Sequence, residues 1–389
     1  MKKLILLTMV ALSVNIVSAQ WTAVNNGLTN TCVLSFAING TNIFAGTGGG
    51  GVFLSSDTGA NWTAVNNGLT NTYVYSFAIS GTNIFAGTGD GGVFLSSDSG
   101  ANWTTVNIGL TNSIVQSLAI SGTNIFAGTN LDGVFLSSDN GANWTAVNNG
   151  LTNTNVYSLA ISGTNIFAGT YGGGVFLSLD NGANWTTVNN GLTNTNVWSF
   201  AISGTNIFAG TYNGGVFLSS DTGANWTAVN NGLTNNDVRS LTISGTNIFA
   251  GTLGGGVFLS SDTGANWTAV NNGLTDTYVY SLAISGNNIF AGTYSGGVWK
   301  RPLSELTGVK EISNNEHNIV IYPNPNRGKF TITQTGKIKS IEIYNVMGEI
   351  VYKSRASNAR INISAQPKGI YFVKVDNGKK VHVEKFVIN

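Results

Sequence analysis

Charge, proline and cysteine are scarce in this chain. Of its 389 residues, 9% are charged, four are proline and one is cysteine. Residues 20–299 hold no lysine, no glutamate, no histidine and no proline, and Arg239 is their one base. Each absence excludes something. Without proline, no ladder donor is missing from any strand in that stretch. Without histidine, imidazole catalysis and the usual metal sites are ruled out there. His317 and His382 have no ligand cluster beside them, so neither metal nor cofactor is expected. Cys32 alone excludes an internal disulfide. What is present is a hydrophobic content of 42% and 51 glycines, which excludes a disordered chain.

The charge is divided unevenly. Ten aspartates against Arg239 leave residues 20–299 at about −9, whereas residues 300–389 carry fifteen Lys/Arg against seven Asp/Glu, about +8. Such a break predicts a domain boundary near Lys300. An acidic main body excludes nucleic acid as a partner, because that needs a basic footprint. At the N-terminus, Lys2 and Lys3 precede a short apolar run, and Ser18 and Ala19 precede Gln20. This predicts a Sec signal peptide over residues 1–19, cleaved after Ala19. No other stretch approaches the ~18 apolar residues that span a bilayer, so the mature chain is expected to have no transmembrane segment.

Tryptophans recur at 21, 62, 103, 144, 185, 226 and 267, a period of 41 residues. A period near 40 with several short strands per unit is that of a propeller blade. One unit reads as four strands: YVYSFAI (73–79), NIFAGT (83–88), VFLSS (93–97) and WTTV (103–106). Turn sequences rich in Gly, Ser and Asn separate them. Nothing repeats with the 3.6-residue period of a helix. The chain opens with a lone fourth strand at Trp21–Val24 and ends its repeats at GGVWK (296–300) with no fourth strand. The expected fold is all-β: a seven-bladed propeller over residues 20–301, with the N-terminal strand completing the last blade. Closing the ring in this way leaves no exposed edge.

The string SSDTGANWTAV (55–65) occurs almost unchanged six times. Its Ser55-x-Asp57-x-Gly59-x-x-Trp62 spacing resembles the Asp-box, or BNR repeat, of sialidase-like propellers. The six aspartates are Asp57, Asp98, Asp139, Asp180, Asp221 and Asp262. One departure is consistent: asparagine (Asn61 and its equivalents) precedes the tryptophan where threonine is usual. A structural role is expected, with the aspartate bonding amides two residues on, the glycine adopting positive φ and the tryptophan packing beneath the turn. The resemblance implies comparison with sialidases, which bind a carboxylate through three arginines and use a tyrosine–glutamate pair and an acidic aspartate. One arginine and no glutamate cannot assemble that site. Hydrolysis of a β-glucan, as in other Asp-box propellers, needs two carboxylates roughly 5 to 10 Å apart. Outside the boxes only Asp90, Asp132, Asp237 and Asp276 remain, each in a different unit.

The copies disagree mainly at two places: directly before and within the first strand, and in the loop between the second and third. These connections share one side of a four-stranded antiparallel blade, opposite the Asp-box turn. All eight propeller tyrosines fall there, as does Trp198. The candidate ligand-binding set is therefore Tyr73, Tyr75, Tyr157, Tyr171, Trp198, Tyr212, Arg239, Tyr278, Tyr280 and Tyr294. Aromatic rings in an uncharged, Asn-rich setting suit the apolar faces of sugars, with amides bonding hydroxyls. Asp237 and Arg239 share a strand face and are expected to pair. Positions 32 and 34 share strand parity with Phe36 and Ile38, which are expected to face neighbouring blades, but Gln116 and Arg239 occupy the same site in other units, so it is expected to be solvent-accessible.

Residues 302–317 are polar and of mixed charge, a linker. Alternating strands over 318–389 then predict a small β-sandwich. This tail resembles the type A C-terminal sorting domain of the type IX (Por) secretion system of Bacteroidota. The resemblance rests on Tyr322-Pro323-Asn324-Pro325 with Gly328 and Phe330, on Tyr344-Asn345 with Gly348, and on Lys368-Gly369-Ile370-Tyr371. It implies Pro323, Asn324, Pro325, Gly328, Gly348, Lys368 and Gly369 as the sorting signal, the type IX machinery as partner, and delivery to the medium or the outer cell surface. The expected protein is an exported, non-enzymatic binding propeller for a glycan or surface protein. A polysaccharide-acting glycoside hydrolase and a structural surface component are the alternatives.

Overall fold

A computed structural model describes residues 20–307, 319–334, 338–346, 348–354, 360–376 and 381–389. The expected signal peptide, and the expected linker beyond residue 307, lie outside the described residues. Contacts divide the chain into two compact units, one ending at Gly308 and the other beginning at Val309.

The first unit is a propeller of seven four-stranded sheets. Blade 1 runs Val33–Asn39, Asn42–Thr47, Val52–Ser55 and Thr63–Ala64, from the centre outwards. Five further blades repeat this order. Blade 7 takes Val279–Ser285, Asn288–Thr293 and Val298–Pro302 from one end of the repeats and Thr22–Ala23 from the other. Its seam is antiparallel, with Thr22 opposite Lys300 and Ala23 opposite Trp299. Each innermost strand touches the next around the ring, and Val279–Ser285 closes it against Val33–Asn39.

The NIFAGT strand explains why blades stack. Beyond its first residue it is buried on both faces, so its continuous apolar run faces a blade on either side. Each propeller core cluster accordingly straddles two blades. Phe44 and Val52 of blade 1 pack with Val74, Ile84, Phe94 and Trp103 of blade 2. Around the seam, Trp21 packs with Phe249, Val257, Leu282 and Ile289. After Pro302 a single helical turn, Ser304–Thr307, follows, and Leu303 and Leu306 pack against this same cluster.

The outer strands are shorter than the sequence suggests. Each contributes only two ladder residues, such as Thr63–Ala64. Trp62 leaves the ladder because its amide donates to Asn26 O of the preceding blade at 2.8 Å. Its indole Nε1 donates to Val24 O, also of the preceding blade, at 2.7 Å. Every box-register tryptophan repeats this bond, and Trp21 closes the chain of bonds by donating to Val270 O at 2.7 Å.

The Asp-box turn differs from expectation in its reach. Asp57 Oδ1 accepts from the Asn61 backbone amide four residues on at 2.9 Å, and Oδ2 accepts from Asn61 Nδ2 at 2.7 Å. Ser55 Oγ donates to Asp57 Oδ1 and accepts from the Gly59 amide. Two consecutive residues are left-handed, Thr58 at φ 57° and Gly59 at φ 86°. A β-carbon at Gly59 would meet the Phe290 ring of the previous blade at 3.0 Å, so the glycine serves packing as well as conformation. The departure from the usual box also acquires a reason. Asn61 Oδ1 accepts from Asn26 Nδ2 of the preceding blade at 2.5 Å while its Nδ2 donates to Asp57, so one amide group serves the turn and the neighbouring blade together. Four other units make the same link. Where Ile108 replaces the donor asparagine, its side chain is left 71% exposed.

The second unit packs a three-stranded sheet (Ile319–Tyr322, Lys329–Gln334, Arg360–Asn362) on a four-stranded one (Ile350–Ser354, Ser340–Asn345, Gly369–Asp376, Val381–Ile388). Ile332, Ile341, Ile343, Val373, Val375 and Phe386 fill the space between them.

Two outcomes are expected. Trp21→Ala removes a fully buried ring and the last inter-blade bond, and lowers unfolding free energy by about 3–5 kcal/mol in urea denaturation. The box carboxyls produce acid lability. Donation from the Asn61 side chain, the Asn61 amide and Ser55 pulls Asp57 down to about 2, and the other five boxes shift the same way. A carboxyl depressed only in the folded state stabilises it fully above the unfolded pKa of about 3.9 and ceases to do so as pH falls through the folded value. The melting temperature should hold from neutral pH to about 5 and fall between 4 and 2. Asp57→Asn should take away part of that fall.

The candidate ligand-binding mouth of the propeller

Every innermost strand opens with an irregularity that the sequence did not disclose. In blade 2, Val74 pairs with Thr88 and Ser76 with Gly87, so Tyr75 is an extra residue with no partner. The same skip occurs in all seven blades. The bulged residues are Leu34, Tyr75, Gln116, Tyr157, Trp198, Arg239 and Tyr280, the positions at which the copies disagree. A bulge re-aims its side chain, so the expected parity of position 34 with Phe36 and Ile38 does not hold. These side chains converge at one end of the central channel. Tyr157, Trp198 and Arg239, the bulged residues of three successive blades, are in contact there.

The second variable set lies beside the first. Within a blade, the loop between the second and third strands bonds back to the residue preceding the innermost strand, as Gly48 N donates to Cys32 O at 2.8 Å and Tyr294 N to Tyr278 O at 3.0 Å. Between blades, isolated bridges join Gly48 to Tyr73, Tyr171 to Asn196 and Leu253 to Tyr278. The mouth is therefore a continuous surface of loop and bulge residues.

Its aromatics form two groups. In blades 4 to 6, Tyr157 meets Trp198 edge-on at 4.4 Å and Tyr171 lies 6.3 Å from the same indole. The Arg239 guanidinium sits 4.0 Å above the Trp198 ring and 5.4 Å from Tyr212. Asp237 holds that guanidinium in a fork, 2.8 Å to Nε and 3.1 Å to Nη2, as the shared strand face predicted. Both side chains are mostly buried. The other group spans blades 7, 1 and 2. Tyr280 and Tyr294 lie 6.0 Å apart, and Tyr73, Tyr278 and Tyr294 are 51%, 52% and 57% exposed. Burial raises the Tyr75 and Tyr280 phenols above their ordinary pKa, so both stay neutral across physiological pH.

Apart from Asp237, the aspartates outside the boxes brace loops. Asp90 accepts from Ser113 Oγ and Asp132 from Thr111 Oγ1, both at 2.8 Å. Asp276 accepts from the Ser295 and Gly296 amides at 2.7 Å. Burial pushes its carboxyl up, but donors from Ser295, Tyr278 and Gly296 outweigh this and hold it below the ordinary range.

The residues of the expected sorting signal are tied to the C-terminal strand. Asn324 Oδ1 accepts from the Val387 amide at 3.0 Å. Asn326 N donates to Val387 O, and Asn389 N to Asn326 O. Gly328 and Gly348 take left-handed conformations at φ 78° and 82°.

Comparison with known proteins agrees with this architecture. Residues 320–389 match the family described as secretion system C-terminal sorting domain. Residues 18–174 match the DUF6242 beta propeller domain. No curated protein matches the chain by sequence. Among solved structures, the chain is similar to PorZ, described as an essential bacterial surface component of the type IX secretion system of Porphyromonas gingivalis. The identity is 16% and the TM-score 0.58, over 93% of this chain and 60% of that one. A GH74 enzyme of Niastella koreensis matches at 18% identity and TM-score 0.55, over 70% of this chain and 43% of the enzyme. YCF48 bound to D1 peptide matches at 15% identity and TM-score 0.59, over 72% of this chain and 96% of that one. The chain thus spans less than two thirds of the first two, and identities this low show the fold alone.

By fold, this is a β-propeller followed by a small β-sandwich. The chain carries a secretion-system sorting domain, which marks it for type IX export to the cell surface or beyond it. Among the described residues no helix is long and apolar enough to cross a membrane.

Asp237→Ala should leave Arg239 without its carboxylate in a largely buried setting and cost about 3 kcal/mol in chemical denaturation. The double variant with Arg239→Leu should recover part of that loss.

Proposed function

We propose that the propeller is a surface-delivered binding module, engaging a glycan or protein at the channel mouth, with the sorting domain handing it to the type IX machinery. One observation carries this. A bulge in each blade presents one re-aimed side chain at the same end of the channel, and those seven side chains differ while the blades beneath them barely do. Tyr73, Tyr171, Tyr278 and Tyr294 are 45–57% exposed there, so the surface is open to a partner. This exposure weighs against a purely structural surface component. Catalysis is the less supported reading. The likeness to the GH74 enzyme is one of fold, and the four aspartates outside the boxes each hold a neighbouring loop or the Arg239 guanidinium.

Screening the full chain against polysaccharides and extracellular matrix proteins tests this. At least one of Trp198→Ala and Tyr280→Ala is expected to weaken binding of any ligand found. A ligand indifferent to both would overturn the assignment to the mouth. Polysaccharide cleavage abolished by Asp90→Asn or Asp132→Asn would replace binding with hydrolysis.

A further inference from the structure

The two aromatic groups at the mouth are not equivalent. In blades 4 to 6 the rings are engaged with one another and with Arg239. The Trp198 ring is met at its edge by Tyr157, and Arg239 lies over its face. That group is a packed wall. Across blades 7, 1 and 2 the arrangement is open. Blade 1 supplies its smallest residues here: Cys32 before the bulge, Leu34 on it, and a loop of four glycines, Gly48 to Gly51. On one side of this low floor stand Tyr73 and Tyr75 of blade 2, and on the other Tyr280 and Tyr294 of blade 7, whereas Tyr278 is bridged to Leu253 and lies against Gly254 of blade 6. Tyr75 belongs to blade 2 and Tyr280 to blade 7, the two blades whose innermost strands touch that of blade 1. The Tyr73 ring leans over Gly49, where a β-carbon would stand 3.7 Å from its Cζ and hydroxyl oxygen.

We infer that this tyrosine-walled, glycine-floored notch over blade 1 is the ligand site, and that its ligand is a neutral saccharide. The inference rests on reading the mouth as a binding surface and narrows that reading to one place and one chemistry. Three observations carry it. Aromatic walls on both sides offer apolar faces to pyranose C–H groups. Among the described residues no hydrogen bond engages any of the four wall tyrosine hydroxyls, and none of their oxygens is buried without a partner, so they remain free to meet sugar hydroxyls. The nearby ionised groups are already paired, Asp276 with the Ser295 and Gly296 amides and Arg239 with Asp237. Nothing in the notch therefore selects a uronate, a sulfated sugar or a charged peptide.

Affinity electrophoresis of the full chain in gels containing laminarin, galactomannan, polygalacturonate or chondroitin sulfate tests it. Retardation is expected in a neutral gel and not in the anionic ones. Tyr73→Ala and Tyr294→Ala, exposed residues on opposite walls, should each weaken retention by roughly 5- to 10-fold, whereas Trp198→Ala should change it by less than about 2-fold. Unchanged melting temperatures would confirm intact folding of the variants. Retention lost in Trp198→Ala but kept in both tyrosine variants would overturn the notch and leave the mouth as the binding surface. Retention untouched by all three variants would overturn both. Retention only by the anionic polymers, or no retention in any gel, would overturn the neutral saccharide.

Discussion

The structure depends on one recurring contact, the indole of each blade inserted against its predecessor. The box-register tryptophan buries its ring between two blades and donates Nε1–H to a valine carbonyl of the earlier one. A blade's central strand is apolar on both faces and cannot be satisfied by its own sheet, so it needs a neighbour on each side. The ring meets that need only if the last blade finds a partner in the first. The N-terminal strand makes this possible, because it belongs to blade 7 although it lies at the opposite end of the repeats: Val24 O accepts the Trp62 indole of blade 1, while Trp21 reaches back to Val270 of blade 6. Closure, edge protection and the final indole bond are a single event.

The Asp-box is the device that sets this contact in register. Its aspartate orders a turn of two consecutive left-handed residues and presents the tryptophan to the previous blade. The asparagine before the tryptophan completes the bond to the aspartate and reaches across to the preceding blade. Aspartates so thoroughly bonded at low pKa are poor general acids. The likeness to enzymes that share this turn is therefore a likeness of architecture, and any function must be sought where the copies differ.

Much of this was legible in the sequence. The 41-residue period, the four strands per unit, the orphan strand at Trp21 and the tail motifs around Pro323 and Gly348 are local signals, and each of them carried into the fold. The pairing of Asp237 with Arg239 was legible as well, since the two residues stand on one strand face. The bulge was not. It adds no unusual residue of its own, and Tyr75, Gln116 and Arg239 share neither size nor charge. Parity counted along the strand therefore placed position 34 with Phe36, and only the ladder register corrected it. The length of the outer strands was misjudged for a similar reason, because Trp62 reads as a strand former while its amide bonds to another blade.

The sequence by itself determined the blade, its repetition, the seam and the export route, because these follow from periodicity, turn chemistry and contiguous motifs. Tertiary structure decided which tyrosines stand free and which are enclosed. Tyr157 and Tyr280 occupy the same position in the repeat, yet one abuts the Trp198 indole of the adjoining blade while the other flanks a glycine floor. The physical reason is that a bulged residue's surroundings come from blades 41 or more residues away, and the blades that meet at the seam stand at opposite ends of the repeats.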